Sequence, residues 1–487
     1  MFGVASSYGS PIGSIAPTEN CMQVASKPYS RAPLSEELSA KLAERFGKRY
    51  SISPGVCLQH GQSETFYPSF PPDAVVFVQS TEEVEFVVHH CAAYRTPIVP
   101  FGAGTSVEGN FAAVHGGVCV DFSLMNQILR VSAADLDCTV QAGVRRNQLN
   151  QHLRDQGLFF PIDPGADATI GGMASTRASG TNAVRYGTMK ENVIALTVVT
   201  PTGKKIVTSR RARKSSAGYD LTHLFVGAEG TLGLITEVTL KLYGVPECIA
   251  SATCAFESLD GAVRTVVETM QMGISIARAE ILDDAQMRAI NRWSKTDLAE
   301  RDTLFLEFHG TERGVGEQVE LVSAIARENG GGDLQWASAP EDRTRLWKAR
   351  HDALYASVGL RPGARGWATD VCVPISRLVE CIALTKQDIA RSEVTATILG
   401  HVGDGNFHVI FVVDPASAKE MEEATRINDA LVKRAIDMDG TCTGEHGIGL
   451  GKQEWLGLEL GDAVELMRDV KRALDPHCLM NPGKIFQ

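Results

Sequence analysis

Two histidines near the C-terminus have the type and spacing of metal ligands. The runs 394–399 and 409–413 around His401 and His408 are rich in β-branched and aromatic residues and predict two strands. Asp404-Gly405 between them predicts a two-residue hairpin loop, because the favoured turn requires φ > 0 at both positions. In that register His401 lies directly opposite His408, with both imidazoles on one face of the hairpin.

Glu445 follows in a glycine-rich segment and offers a third, anionic ligand. Two histidines and one carboxylate leave a coordination position open, as in catalytic rather than structural metal sites. The pattern therefore predicts one divalent metal, zinc or manganese, on His401, His408 and Glu445. The alternative interpretation is a histidine pair buried in a core and an acidic turn, without a metal.

The composition bounds the size of the fold and the kind of partner. With 487 residues the chain is long enough for two or three domains with substantial cores. A hydrophobic fraction of 44% and a charged fraction of 22% are those of an ordinary globular protein. The net charge of −11 argues against a nucleic-acid partner, because phosphate binding requires surplus Lys and Arg. No apolar run approaches the roughly 20 residues of a membrane span.

The cysteines and the N-terminal residues indicate the cellular compartment of the protein. None of the eleven cysteines forms a Cys-x-x-Cys pair, which weakens the case for an iron–sulfur cluster or a zinc ribbon. Most lie in apolar segments, so we expect free thiols in a reducing compartment. The first 35 residues are rich in Ser, Gly and Pro. They fit a mitochondrial presequence if the source is eukaryotic, or else a plain leader on a cytoplasmic protein.

Three glycine-rich segments, each joined to predicted strands, indicate an extended bound cofactor. The first, 102–106, follows the predicted strand 97–101 but lacks the third glycine of the dinucleotide-binding fingerprint. The second covers 161–188 and the third 225–235. Backbone with few side chains approaches a large ligand closely, and successive N–H groups bind a pyrophosphate.

The order of the predicted elements changes near Cys248. Downstream of it, predicted strands at 251–256, 276–282 and 303–310 alternate with helices, as in an α+β sandwich. We therefore expect a leader and helix over 1–65, a first domain over 66–248, and a second domain over 249–487 that ends in the metal-binding segment.

Eight segments, in this order and spacing, resemble the D-lactate dehydrogenase (cytochrome) family, within the flavoproteins of the vanillyl-alcohol-oxidase type. Glycolate oxidase D-subunits and D-2-hydroxyglutarate dehydrogenases are near relatives of that family. The resemblance implies an α+β fold with a two-part FAD-binding domain (PCMH type) and an α+β cap domain with an antiparallel sheet. The segments are Pro100–Ser106, Asp163–Ala166, Gly180–Thr188, Gly230–Ile235, Thr369–Ile375, His401–His408, Thr443–Ile448 and Met480–Lys484.

The resemblance further implies FAD as the cofactor. No histidine lies in the 100–109 loop, which fits the branch that binds FAD without a covalent bond. The residues expected to line the FAD are Pro100, Gly102, Ala103, Gly104, Thr105, Ser106, Gly109, Pro164, Gly165, Ala166, Thr169, Gly171, Gly172, Ser175, Thr176, Tyr186, Glu229, Gly230, Ile235 and Asn481.

The expected reaction is oxidation of a D-2-hydroxy acid to the 2-oxo acid, with hydride transfer to flavin N5. The expected electron acceptor is cytochrome c or a quinone-linked carrier, and a homodimer is left open. By resemblance, His446 is the general base; the alternative is a hydrogen-bonding neighbour of the metal site. Arg350 is expected to clamp the substrate carboxylate, and Asn406 is a further expected catalytic residue.

Leu354, Trp367 and Ala368 are expected to form an apolar wall of the substrate pocket. Relatives that oxidise D-2-hydroxyglutarate carry polar groups at two of these places. Burying a second carboxylate unpaired against an apolar wall is costly, so we expect a preference for D-lactate and similar short acids. The alternatives are a D-2-hydroxyglutarate or glycolate dehydrogenase and, more distantly, a non-redox metallohydrolase, which leaves the glycine-rich segments unexplained.

Overall fold

Two larger sheets and one two-stranded sheet, Leu158–Phe159 with Tyr243–Gly244, form the N-terminal half of the described chain. The computed structural model describes residues 29–63, 65–337 and 339–486. The last three strands of the first sheet are parallel, and helices Glu36–Phe46 and Thr81–Ala93 pack on it through a common apolar core. Its four strands, in order across the sheet, are Tyr50–Ser51, Ala74–Phe77, Val118–Asp121 and Ile98–Phe101.

The second sheet is antiparallel and has five strands. In order across the sheet they are Ile128–Ser132, Asp137–Gln141, Leu234–Lys241, Val193–Val199 and Lys205–Val207. The segment 161–188, predicted as a loop, contains a helix at Ile170–Thr176 and another at Ala183–Tyr186. The first helix forms because the Thr169 hydroxyl accepts a hydrogen bond from the backbone of Gly172 and caps its N-terminus.

The C-terminal half is built on one large antiparallel sheet. Its strands are Gln335–Ala337, Cys248–Ala255, Thr303–Gly310, Ile276–Leu282, Thr395–His401, Asn406–Val413 and Arg365–Ala368, and Val371–Cys372 also pairs with Asn406–Val413. Helices Leu259–Gln271, Glu312–Glu328, Ile375–Ala390 and Ala418–Asp437 cover one face. Helices Asp284–Ser294, Pro340–His351 and Ala353–Val358 cover part of the other.

The chain then returns to the first half. Helices Gln453–Leu460 and Ala463–Leu474 follow the glycine-rich segment of Glu445. Met480 forms a parallel bridge with Ile98, so the C-terminus extends the first sheet. The architecture is the expected α+β one, with a two-part first half and an antiparallel second half.

Two helical segments of the C-terminal half differ from the sequence predictions. The residue pattern of 340–356 predicts a single helix, but the helix ends at His351 and a second helix begins at Ala353. The second piece is held against its neighbour by a buried hydrogen bond between Ser357 and Gln286. Helix Ile375–Ala390 was not predicted, although its buried residues recur at helical spacing.

None of the described helices is long and apolar enough to cross a membrane. Every cysteine of the described residues is a free thiol, and most are buried. The predicted leader lies mainly outside the described residues.

A buried His60–Asp121 pair ties the N-terminal segment to the first sheet. Nε2 of His60 lies 2.8 Å from Oδ2 of Asp121, and Nδ1 lies 2.8 Å from the carbonyl oxygen of Val56. Burial lowers the pKa of His60, but the hydrogen bonds to Asp121 and Val56 outweigh it and leave the pKa raised. The ring also packs on Phe101, at 4.5 Å between centroids, just before the first glycine-rich segment.

We predict that His60 stabilises the fold more at low pH than at high pH. Because its folded pKa is raised, its contribution is fully present below its unfolded pKa of about 6.5 and is lost as the pH rises through the folded value. His60→Gln should cost about 1.5–3 kcal/mol of unfolding free energy at pH 6 and less at pH 8.5. Urea denaturation of both proteins across this range measures the difference, and a pH-independent difference would contradict a charged pair.

Candidate functional site

A cavity of about 290 Å³ lies where the three glycine-rich segments meet the second half of the chain. Seventeen of the residues expected to contact FAD line it. They are Pro100, Gly102, Ala103, Gly104, Thr105, Ser106, Pro164, Gly165, Ala166, Thr169, Gly171, Gly172, Ser175, Thr176, Glu229, Gly230 and Ile235.

The cavity walls suit a large ligand that approaches the backbone closely. Gly104 has φ of +70°, a conformation that residues with a Cβ rarely adopt, and a Cβ there would press on the Phe101 ring at 2.9 Å. The hydroxyl of Ser106 is buried without a hydrogen-bond partner among the described residues. A buried polar group of this kind needs a partner, which a bound phosphate or flavin oxygen supplies.

Gly109, Tyr186 and Asn481, the other three residues expected to contact FAD, are not among the residues that line this cavity. Gly109 packs on Leu450, and the Tyr186 hydroxyl lies 2.8 Å from Nδ1 of His309 in the cap sheet. The side-chain amide of Asn481 donates to two backbone oxygens of the cavity walls, each at 2.7 Å. These residues support the walls from behind.

Sequence reasoning missed several residues that line the cavity. They are Phe101, Val107, Asn110, Phe111, Phe122, Ala142, Ala168, Met173, Ala178, Ser179, Gly233, Leu234, His351 and Tyr355. Many of them are neighbours in the sequence of residues that were predicted to line the FAD, and this adjacency is the signal that could have identified them. His351 and Tyr355 lie on helices Pro340–His351 and Ala353–Val358. Their sequence gave no sign of a cofactor contact, because only the packing of the C-terminal half against the N-terminal half brings them to the cavity.

The predicted hairpin exists, but its register was wrong. Leu399, rather than His401, pairs with His408, and the loop spans 402–405 with positive φ at Gly405 alone of the two predicted loop residues. The wider loop is fixed by the edge strand Val371–Cys372, since Val373 donates a hydrogen bond to the Gly405 carbonyl. A shift of two residues preserves the face of every side chain, so the imidazoles still meet, with ring centroids 5.6 Å apart.

The two imidazoles converge on Glu445. Nε2 of His401 lies 3.2 Å and Nε2 of His408 lies 3.4 Å from the same carboxylate oxygen of Glu445. The opposite ring nitrogens are oriented by oxygen acceptors: Nδ1 of His401 lies 2.6 Å from Glu280, and Nδ1 of His408 lies 2.9 Å from the Thr369 carbonyl. Potential ligand atoms of the three residues lie within 4.8 Å of one another. This donor set and its outer hydrogen bonds fit a divalent metal.

Arg350 and Asn406 lie behind this cluster rather than in the cavity lining. Nε and Nη2 of Arg350 donate to one oxygen of Glu280, at 2.9 and 2.6 Å, while the other oxygen faces His401. Burial raises the pKa of Glu280, but His401 and Arg350 lower it more. The Asn406 amide donates to Asp370 and to the carbonyl of Val371. Arg350 therefore contacts the carboxylate that orients His401, and Asn406 contacts Asp370, whose other oxygen accepts a hydrogen bond from the backbone of Glu445.

The expected apolar wall is only partly present. Leu354 lines the cavity. Trp367 stacks on Phe66, with centroids 5.4 Å apart, and Ala368 borders only small separate cavities. Trp367 and Ala368 share one of these small cavities with Leu354 and lie beside the main cavity rather than in its lining, so their place in the substrate pocket stays a prediction.

His446 completes the site. It lines the cavity, and its ring stacks on that of His408 at 5.2 Å with an angle of 15°. Its backbone N–H donates to Oδ2 of Asp370 at 3.1 Å, which fixes the loop at this point. An imidazole beside three potential metal ligands at the wall of this cavity suits the removal of a hydroxyl proton.

Comparisons with known proteins agree with this geometry. Residues 72–209 match a family model described as "FAD binding domain", and residues 245–485 match "FAD linked oxidases, C-terminal domain". The chain is 52% identical to "Probable D-lactate dehydrogenase, mitochondrial" of Danio rerio, over 90% of this chain and 89% of that protein. It is 47% identical to "D-lactate dehydrogenase [cytochrome], mitochondrial" of Arabidopsis thaliana, over 85% and 73%.

A solved structure, p-cresol methylhydroxylase with substrate bound, superposes with a TM-score of 0.77 at 17% identity, over 94% of this chain and 98% of that one. At this identity the likeness concerns the fold, which is that of the vanillyl-alcohol-oxidase type. The fold is therefore the one expected from the sequence. Together with the sequence relatives, it shows that the chain belongs to the D-lactate dehydrogenase (cytochrome) family of FAD-linked oxidases.

Proposed function

We propose that this chain is an FAD-dependent dehydrogenase that oxidises D-lactate to the 2-oxo acid. The observation that supports this most is the convergence of the Glu445 cluster and His446 at the wall of the glycine-lined cavity. The names of the relatives add the substrate class. A hydrolase using the same metal ligands would have no need of a cavity lined by three glycine-rich segments.

Each part of the reaction is assigned to a different group of the site. FAD, when bound, accepts the C2 hydride of the substrate. His401, His408 and Glu445 would hold a zinc or manganese ion, whose chemistry is to lower the pKa of the substrate hydroxyl. His446 takes the hydroxyl proton. The products are the 2-oxo acid, one proton and the reduced cofactor.

Arg350 has a role besides the expected clamp. Because two of its donors are bound to Glu280, it holds the carboxylate that orients His401. Leu354 remains the apolar residue of the cavity that favours a short substrate side chain. A second carboxylate on the substrate would meet no partner at Leu354.

Further parts of the proposal concern the cofactor, the acceptor and the compartment. The absence of a histidine from the 100–109 loop supports non-covalent FAD. The name of the Arabidopsis relative supports a cytochrome as electron acceptor and a mitochondrial location in a eukaryote. We place the FAD-binding domain over 66–248 and the cap with the metal-binding segment over 249–487.

Anaerobic mixing with substrate tests the function. The oxidised holoenzyme should be yellow and should bleach with D-lactate, with kcat/KM about 10²-fold or more above that for D-2-hydroxyglutarate, because the diacid buries an unpaired charge. Absorbance near the flavin band in a stopped-flow instrument measures both reactions. A preference for the diacid would contradict the role of Leu354, and a colourless, unreactive protein would contradict the function.

The metal site is tested by His401→Ala and His408→Ala. Each should lose bound zinc or manganese and at least about 10²-fold in turnover while keeping FAD, because the glycine-rich segments do not depend on either ring. Metal analysis and flavin absorbance give the two contents. His309→Gln is the matched control, since His309 is another buried cap histidine outside the ligand cluster. Full metal content and turnover in both alanine variants would refute the site.

The general-base role is tested by His446→Ala. Flavin reduction at saturating D-lactate should fall by about 10²–10⁴-fold with little change in substrate affinity, the pattern of a group that acts in the transition state. Single-turnover kinetics separate the two effects. A variant altered in substrate affinity alone would reassign His446 to binding.

A further inference from the structure

One buried carboxylate beside His446 has no role in the mechanism above. Glu108 follows the first glycine-rich segment and is 3% exposed. Its Oε1 lies 3.8 Å from Nδ1 of His446 and 3.2 Å from Nζ of Lys452. Its Oε2 accepts a hydrogen bond from the Tyr67 hydroxyl at 3.3 Å.

Nδ1 of His446 needs a partner. This atom is buried and has no hydrogen-bond partner among the described residues. Two carboxylates are near it, Glu108 at 3.8 Å and Asp370 at 4.0 Å. Oδ2 of Asp370 already accepts hydrogen bonds from the backbone of Glu445, the backbone of His446 and the hydroxyl of Thr443. Oε1 of Glu108 has Lys452 as its close donor and can still accept a hydrogen bond from Nδ1 of His446.

The loop that carries His446 is built onto Glu108. The backbone N–H of Leu450 donates to the Glu108 carbonyl at 2.8 Å. A Cβ on Gly449 would collide with that carbonyl, and a Cβ on Gly451 would collide with the Tyr67 hydroxyl and the Glu108 carboxylate. Both glycines are thus needed for the loop to lie this close, and the contacts that place the loop also place the carboxylate.

We propose that Glu108 is a positioning residue that accepts the Nδ1–H of His446 and so fixes the tautomer of the base. A movement of about 1 Å brings the present 3.8 Å separation to hydrogen-bond length. A neutral imidazole carries one N–H, so a proton held at Nδ1 leaves Nε2 as the free base. Nε2 is the nitrogen on the side of Glu445. This inference rests on the proposed role of His446.

Two substitutions at Glu108 and one control form the test. In Glu108→Gln the amide oxygen keeps an acceptor toward both Lys452 and His446, so flavin reduction by D-lactate should stay within about fivefold of the native rate. Glu108→Leu removes the acceptor and should slow flavin reduction about 10²-fold, at unchanged substrate affinity and FAD content. Tyr67→Phe disturbs the same buried contact without removing the acceptor and should reduce flavin at the native rate.

Stopped-flow flavin reduction over a range of D-lactate concentrations separates rate from affinity. If Glu108→Leu loses FAD, the double variant Glu108→Leu/Lys452→Met takes its place, because it removes both members of the ion pair while Asp370 keeps its donors from the backbone of Glu445 and His446 and from the Thr443 hydroxyl. Equal rates for the native, Gln and Leu proteins, or equal losses in Gln and Leu, would overturn the proposal. A native rate in His446→Ala would instead overturn the base role itself, so the two failures are distinguishable.

Discussion

The buried carboxylate of Glu229 joins the FAD-binding half of the chain to the loop that carries His446. It accepts hydrogen bonds from the backbone of Ile448 and Gly449 and from the amide of Asn110. Burial raises its pKa, and these three donors oppose the rise without cancelling it. Glu229 also adopts φ of +50°, a backbone conformation that costs free energy and persists only when neighbouring contacts enforce it. Without this carboxylate, buried backbone donors at the site would have no partner.

A second set of buried charges organises the cap side of the site. Glu280 bridges Arg350 and His401, and its complete burial makes each contact depend on the others. Arg278 forms a similar junction between the halves, lying 3.4 Å from Asp163 and 3.3 Å from Glu307. Removing one partner of such a group leaves an uncompensated buried charge, so these residues define geometry more than they add stability. His401 takes its orientation from this arrangement.

The elements with the strongest local signals could be predicted well from the sequence. Strands Ile276–Leu282 and Thr303–Gly310 have the predicted bounds, and helix Thr81–Ala93 begins after Ser80, a local signal because its hydroxyl accepts a hydrogen bond from the backbone of Glu83. The glycine-rich segments were predicted to bind a cofactor because only backbone with few or small side chains lets a large ligand approach it closely, and that property can be read from composition. Helix Ile375–Ala390 was missed, although its buried residues carry the helical period.

The sequence by itself determined which residue types were available and which face of the hairpin His401 and His408 share, because side chains alternate with a period of two along a strand. Tertiary structure decided the rest. The edge strand Val371–Cys372 set the hairpin register, a long-range pairing that no local turn preference encodes. The tertiary structure also placed Arg350 against Glu280, and it placed Glu108 beside His446, which lies more than 300 positions away in the sequence. Burial and charge pairing decide such contacts, because they act between segments that are remote in sequence.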